Sequence, residues 1–124
     1  MSTQNRPLSP HLQIYKLPLT GLISITHRIT GIALSFGLLF FVYSFFAIYA
    51  GSTVYLNLQK LLNQPLGKLC ISLFIYALFF HLCHGIRHLL WDAGFSFDKA
   101  EMTKNAIIEL AASIILTLVA LFFL

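Results

Sequence analysis

Three long apolar runs constrain this 124-residue chain more than any other feature of its sequence. They cover residues 29–50, 66–91 and 106–124, and each is close to the ~20 residues that a helix needs to cross a bilayer. The four prolines all lie outside these runs, as a helical interpretation requires, since proline lacks the backbone N–H that a helix interior uses. The sequence therefore predicts an all-α integral membrane protein with three transmembrane helices.

The composition excludes several other classes. Hydrophobic residues make up 58% of the chain and charged residues only 10%, whereas soluble domains carry about 25% charged residues. The chain has no G-x-G-x-x-G or Walker motif and is too short for a separate catalytic barrel. Its net charge of +4 is not gathered into a basic helix or cluster, so we expect no nucleic-acid partner. Cys70 and Cys83 would lie about 20 Å apart on one helix and cannot form a disulfide with each other.

Loop charges predict the orientation in the membrane. Basic residues on one side outnumber those on the other, so we expect the N-terminus and the loop after the second span to face the cytoplasm or the mitochondrial matrix. The first residues lack the apolar core of a signal peptide, so we expect the chain to be mature as written. The single membrane domain, 1–124, then divides into an inner-side segment 1–21, helix I at about 22–50, an outer loop 51–65, helix II at about 66–91, an inner loop 92–104 and helix III at about 105–124.

Polar residues inside a span are costly and therefore informative. The first cluster lies at the inner end of helix I, where the spacing predicts one helix face shared by Ser24, His27, Arg28, Gly31 and Ser35. Its small residues would let another helix or a flat cofactor approach closely. The alternative is structural: Arg28 only extends to the lipid headgroups, and Ser24 caps the helix.

The second cluster contains three histidines within eight residues near the end of helix II. His81 would lie about 14 Å from the inner interface, where a neutral imidazole needs a partner. A haem iron is one such partner, and Gly85 would leave room for its porphyrin. Cationic and donor groups placed to meet the haem propionates are His27, Arg28, Arg87 and His88.

Two other interpretations of this cluster stay open. His81 and His84 could hydrogen-bond to neighbouring helices without any metal, or share a zinc or copper ion that lacks an evident third ligand. The polar stripe of Glu109, Ser113 and Thr117 on helix III favours helix packing. Three helices cannot enclose a haem and supply both axial ligands, so the haem hypothesis requires a second membrane subunit.

Together these segments resemble the large cytochrome b anchor subunit of succinate dehydrogenase, respiratory complex II. The resemblance covers nearly the whole chain and rests on Arg6-Pro7-Leu8, Ser-Pro-His-Leu-x-Ile-Tyr at 9–15, Ser24-x-x-His27-Arg28-x-Thr30-Gly31, and His81-x-x-x-Gly85-Ile86-Arg87-His88-x-x-Trp91-Asp92-x-Gly94.

The resemblance implies a role for each of these residues. His81 would be the axial ligand to the iron of haem b, and a smaller anchor subunit would supply the second axial histidine. His27, Arg28 and His88 would surround the haem propionates, with Gly85 beside the ring. The ubiquinone site would contain Ser24 and Arg28 as donors to a quinone carbonyl, together with Ile25 and Asp92.

The implied function is quinone reduction within a larger enzyme. The chain would receive electrons from an iron–sulfur subunit, and succinate would be oxidised on a flavoprotein subunit, because this chain has no flavin or iron–sulfur ligands. The membrane would be the mitochondrial inner or bacterial cytoplasmic membrane. The alternatives are the anchor of a quinol:fumarate reductase and a haem-less structural membrane subunit.

Overall fold

A computed structural model describes residue 14, residues 16–95 and residues 97–124. The helices are α1 (Leu19–Tyr49), α2 (Ser52–Leu62), α3 (Pro65–Asp92) and α4 (Lys99–Phe122). The motif residues at 6–13 and at Tyr15 lie outside the described part of the chain.

Three of these helices are long and apolar enough to cross a membrane: α1 with 31 residues, α3 with 28 and α4 with 24. This result confirms the all-α fold class with three membrane spans. Helix α3 packs against both α1 and α4, which also touch each other. The short helix α2 packs against α1 and α3 and occupies the segment that the sequence predicts as an outer loop. Its 11 residues are too few to span a bilayer.

Local backbone chemistry sets the ends of α1 and α3. Gly51 follows α1 with φ of 107°, a conformation that glycine adopts without strain. Gly94 follows α3 with φ of 88°. There the amide of Phe95 donates to the carbonyl of Leu90 and that of Gly94 donates to Trp91, the paired bonds of a Schellman motif. The Gly94 of the sequence motif is thus a helix stop, which leaves Asp92 as the last residue of α3.

The elbow between α2 and α3 needs a residue without a side chain. A Cβ added at Gly67 would lie 2.5 Å from the Leu61 carbonyl oxygen and 2.6 Å from that of Leu62. Both neighbours are backbone atoms, which cannot move aside as a flexible side chain does. Pro65 opens α3 at its first turn, where a missing N–H costs nothing.

The interior of the bundle is unusually polar. Within the described part of the chain, the buried apolar side chains are Ile23, Ala47, Leu58, Phe80 and Ala106, and the buried polar ones are Thr30, His84, Arg87, Glu109, Ser113 and Thr117. Most of the large apolar side chains are exposed instead. A soluble protein would not expose so much apolar surface, so this arrangement fits a chain surrounded by lipid. The chain is a multi-pass membrane protein.

Candidate functional site

Four histidines from two helices meet at one end of the bundle. The His27 ring of α1 stacks on the His81 ring of α3, with ring centres 3.9 Å apart. Its centre also lies 4.5 Å from that of His84 and 5.7 Å from that of His88. Of the haem residues predicted from the sequence, His27, His81 and His88 are therefore brought together. The fourth histidine, His84, had no assigned role.

His81 is held from the side of α1. Its Nδ1 lies 3.2 Å from the His27 carbonyl oxygen and 3.2 Å from the Thr30 hydroxyl oxygen. The Thr30 hydroxyl itself donates to the same carbonyl, over 2.8 Å. Nδ1 is therefore the protonated nitrogen, because the carbonyl can only accept. This tautomer leaves the lone pair of the His81 ring on Nε2.

Gly31 makes this contact between α1 and α3 possible. A Cβ at position 31 would come within 3.1 Å of the His81 ring, which is closer than side chains normally approach. The small residue in the sequence motif therefore serves close packing of α1 on the histidine. Gly85 differs, because a Cβ there would have no atom within 4 Å. It faces open space beside α3.

The sequence interpretation placed Arg87 near the haem propionates, and the structure shows that its side chain makes its contacts inside the chain. One terminal nitrogen donates to Glu109 over 3.0 Å and the other donates to the Met102 carbonyl over 2.9 Å. The guanidinium carbon also lies 4.6 Å from the centre of the Trp91 ring. The physical reason is burial: Arg87 is only 5% exposed, and a buried guanidinium requires an anion and acceptors close by.

His84 and Glu109 form a second buried pair across α3 and α4. The His84 Nδ1 lies 2.8 Å from the Glu109 carboxylate, so its N–H donates to that oxygen. Sequence reasoning missed this link, although the stripe Phe80, His84, Arg87 on α3 and the stripe of Glu109, Ser113 and Thr117 on α4 both have helical spacing. The spacing within each helix does not show that these two stripes face each other.

Replacing Glu109 by alanine is expected to destabilise the protein by about 3 kcal/mol or more. The change would leave the Arg87 cation buried without its anion, a loss that costs about 3–5 kcal/mol in other proteins. Thermal or chemical denaturation of the purified protein in detergent would measure the effect. Glu101→Ala is the matched control, because Glu101 is an exposed acid in the first turn of the same helix. Equal stability of the two variants would show that the buried network contributes little.

The residues predicted to bind quinone lie on the outer surface of this chain. Ser24 is half-buried, whereas Ile25, Arg28 and Asp92 are exposed. No hydrogen bond or ion pair of the Ser24 or Arg28 side chain is found within the described residues. Helix α1 turns Ile23, His27 and Thr30 towards the bundle, so Arg28 is directed elsewhere. Arg28 is thus exposed on α1, whereas His27 contacts the histidines of α3.

Comparisons with known proteins agree with this architecture. Residues 2–120 match the family described as succinate dehydrogenase/fumarate reductase transmembrane subunit. The chain is 39% identical to the succinate dehydrogenase cytochrome b560 subunit of Reclinomonas americana, over 94% of this chain and 84% of that protein. It is 40% identical to the cytochrome b556 subunit of Rickettsia felis, over 91% and 88%, and 35% identical to that of Paracoccus denitrificans, over 94% and 90%. The chain therefore belongs to the succinate dehydrogenase/fumarate reductase transmembrane subunit family.

Proposed function

We propose that this chain is the large membrane anchor of a succinate:ubiquinone oxidoreductase, that it binds haem b through His81, and that it forms part of the site where ubiquinone is reduced. The observation that carries the proposal is the tautomer of His81. Its Nδ1–H is committed to the His27 carbonyl, so its Nε2 is available as a ligand. Metal-bound histidines characteristically donate their other ring N–H in this way, which fixes the ring and raises the basicity of the ligand.

The surroundings of His81 fit a flat cofactor. Gly85 lies one helical turn after His81, on the side of α3 where a Cβ would meet no atom of this chain. A porphyrin next to the helix needs such a place, since any side chain would stand between ring and backbone. A haem bound there would supply a one-electron carrier close to the quinone site.

His27 and His88 are suited to hold the carboxylates of that group. The His27 Nε2 is buried and has no hydrogen-bond partner among the described residues, so it can donate to an anion. His88 lies two turns after His81 on the same stripe of α3. Arg28 would contribute a cation from the exposed side of α1.

Ser24 and Arg28 would bind the quinone. They are one turn apart on α1. Neither side chain makes a hydrogen bond or ion pair within the described part of the chain. Two donors on one carbonyl oxygen stabilise the negative charge that develops there during reduction more than they stabilise the neutral quinone. Exposed Ile25 would line the same site.

The position of Asp92 does not stabilise α3, which favours a functional role for its carboxylate. It is the last residue of α3 and exposed, and a carboxylate at a helix C-terminus is repelled by the helix dipole. We expect it to act near the quinone site, either towards the substrate or towards a neighbouring subunit.

Partner subunits would complete the centre. Neither neighbouring histidine is placed opposite His81: the His27 ring stacks flat on the His81 ring, and His84 lies on the same helix, three residues after His81. A smaller anchor subunit would therefore supply the second axial histidine. An iron–sulfur subunit on the inner side would deliver electrons, and a flavoprotein subunit would oxidise succinate.

An optical difference spectrum of the purified native complex tests the proposal. We expect a b-type α-band to appear when succinate is added to the oxidised complex, because haem, quinone site and dehydrogenase would then be connected. Absence of haem would refute the cofactor. A haem reduced by dithionite and not by succinate would refute its connection to succinate oxidation.

A further inference from the structure

A cavity lies between α1, the end of α2 and α3, in the half of the bundle away from the histidines. Its volume is about 440 Å³ and its lining is mainly apolar. The lining residues extend from Gly37 to Ser44 on α1 and from Cys70 to Leu78 on α3. The Ser44 hydroxyl is turned back onto its own helix, where it donates to the Phe40 carbonyl over 2.9 Å. This α2 cavity therefore favours a hydrocarbon ligand.

The α2 cavity has the direction and the depth of a lipid acyl chain. Its lining on α3 begins five residues after Pro65 and ends at Leu78, so it extends about 12 Å along the helix axis. The 28 residues of α3 measure about 42 Å, the thickness of a bilayer with its headgroups. The lining thus begins about 7 Å from the start of α3, where the ~30 Å hydrocarbon core begins.

The deep end of the α2 cavity is shaped by a glycine and two aromatic rings. A Cβ added at Gly37 would overlap the ring of Phe74, so the glycine lets that ring lie against the backbone of α1. The centre of the Phe74 ring also lies 6.1 Å from that of the Phe41 ring. The walls at this depth are therefore aromatic side chains packed between two helices.

The shallow end of the α2 cavity is positively charged. Lys60 and Lys68 are the only charged side chains between residues 29 and 86. Both are exposed, and neither makes an ion pair within the described residues. Lys68 lies one turn before Ile71, which lines the cavity, and only about 5 Å from the start of α3, at the level of the headgroups. Two cations with no acid nearby in the sequence attract an anionic headgroup.

We propose that the α2 cavity and Lys68 bind an anionic phospholipid, with one acyl chain in the cavity and the phosphate beside Lys68. The two features together select this ligand. A free anion would use only the lysine, and an uncharged hydrocarbon chain would use only the cavity. The inference goes beyond the proposed function and does not depend on haem or quinone binding.

Photolabelling of the whole purified complex tests the site. The probe is a phosphatidylglycerol that carries a diazirine in one acyl chain, and mass spectrometry of peptides locates the label after irradiation. We expect label on residues 37–44 of α1 and 70–78 of α3. At lipid concentrations below saturation, Lys68→Gln should lower this labelling about fivefold, the factor that one lysine near a membrane surface contributes to binding of anionic lipid. Labelling by the matching phosphatidylcholine, which has no net charge, should be weaker and should not respond to Lys68→Gln.

Filling the cavity gives an independent test. Ser44→Phe places an aromatic ring in the cavity, so the phosphatidylglycerol label on residues 70–78 should disappear. Ser72→Phe is the matched control, because Ser72 also donates to a carbonyl of its own helix, that of Lys68, over 2.9 Å and does not line the cavity. Its labelling should equal that of the unmodified complex. The haem spectrum of each variant, recorded in parallel, shows whether the complex is assembled.

Four results would overturn the inference: no label on these two segments, equal labelling by phosphatidylcholine, unchanged labelling in Ser44→Phe, or unchanged labelling in Lys68→Gln. Loss of label in the presence of excess ubiquinone would also overturn it, because the cavity would then bind an isoprenoid chain. A complex that takes up the lipid and contains no haem would refute the proposed function and leave this inference standing.

Discussion

Replacing His81 by alanine is expected to abolish the b-type haem absorbance of the purified complex. Among the described residues, the change removes the imidazole whose Nδ1–H is held by a neighbouring carbonyl, at 3.2 Å, and whose Nε2 would bind iron under the proposed function. Under the proposed function, loss of this imidazole would weaken haem binding and change the absorbance of the haem. Haem content per complex and the reduced-minus-oxidised spectrum measure the effect.

Thr30→Val is the matched control for this prediction. It removes the hydroxyl that lies 3.2 Å from the His81 Nδ1 and preserves the side-chain volume and the carbonyl of His27. We expect haem to remain bound, with affinity lowered by no more than the 10- to 100-fold typical of an outer partner. Unchanged haem content and spectrum in His81→Ala would show that the iron ligand is another residue, and the interpretation of His81 as a purely structural histidine would then stand.

The membrane spans could be predicted from the sequence because their physical cause is local. An apolar run of ~20 residues crosses a bilayer as a helix whatever its neighbours do. The three spans predicted in this way are confirmed by α1, α3 and α4. Helix α2 was not predicted, because its 11 residues are too few to show a clear helical pattern of apolar residues. Its contacts with α1 and α3 help to stabilise it.

The sequence could indicate which residues belong to the candidate site, but not which of them contact each other. Spacing alone groups His27 with Arg28 and His84 with His81, because these pairs are close along one helix. The structure shows other pairs, which are formed between helices: His27 stacks on His81 and His84 hydrogen-bonds to Glu109. Arg87 also turns inwards to Glu109. Such contacts depend on how helices rotate against each other, which periodicity within a single helix does not determine.

Replacing Arg28 by alanine is expected to lower the rate of ubiquinone reduction by roughly 10- to 150-fold. A hydrogen bond from a charged donor contributes about 1.5–3 kcal/mol, and each 1.4 kcal/mol in the transition state changes the rate about tenfold. Ser24→Ala removes a neutral donor worth about 0.5–1.5 kcal/mol and should cost roughly 2- to 12-fold. Succinate oxidation with an artificial dye as acceptor should stay unchanged, because it does not use the quinone site.

Two control variants separate quinone binding from assembly. Thr26→Val removes a hydroxyl in the same turn of α1 that already donates to the Leu22 carbonyl over 3.0 Å, so quinone reduction should not change. Arg28→Lys retains the charge and loses the planar fork that directs two donors at one oxygen, so its rate should lie between those of the alanine variant and the unmodified complex. Equal loss of quinone and dye reduction in Arg28→Ala would indicate an assembly defect and contradict the assignment.

Because Arg28 is exposed, its guanidinium could either extend to lipid headgroups or bind the quinone. A guanidinium that extended only to lipid headgroups would tolerate lysine without loss, since both side chains reach the interface with a positive charge. A guanidinium that donates to a quinone carbonyl would not, because lysine offers a point charge where the site uses directed N–H groups. The ratio of the lysine to the arginine rate therefore distinguishes the two roles of an exposed cation that makes no hydrogen bond or ion pair within the described residues.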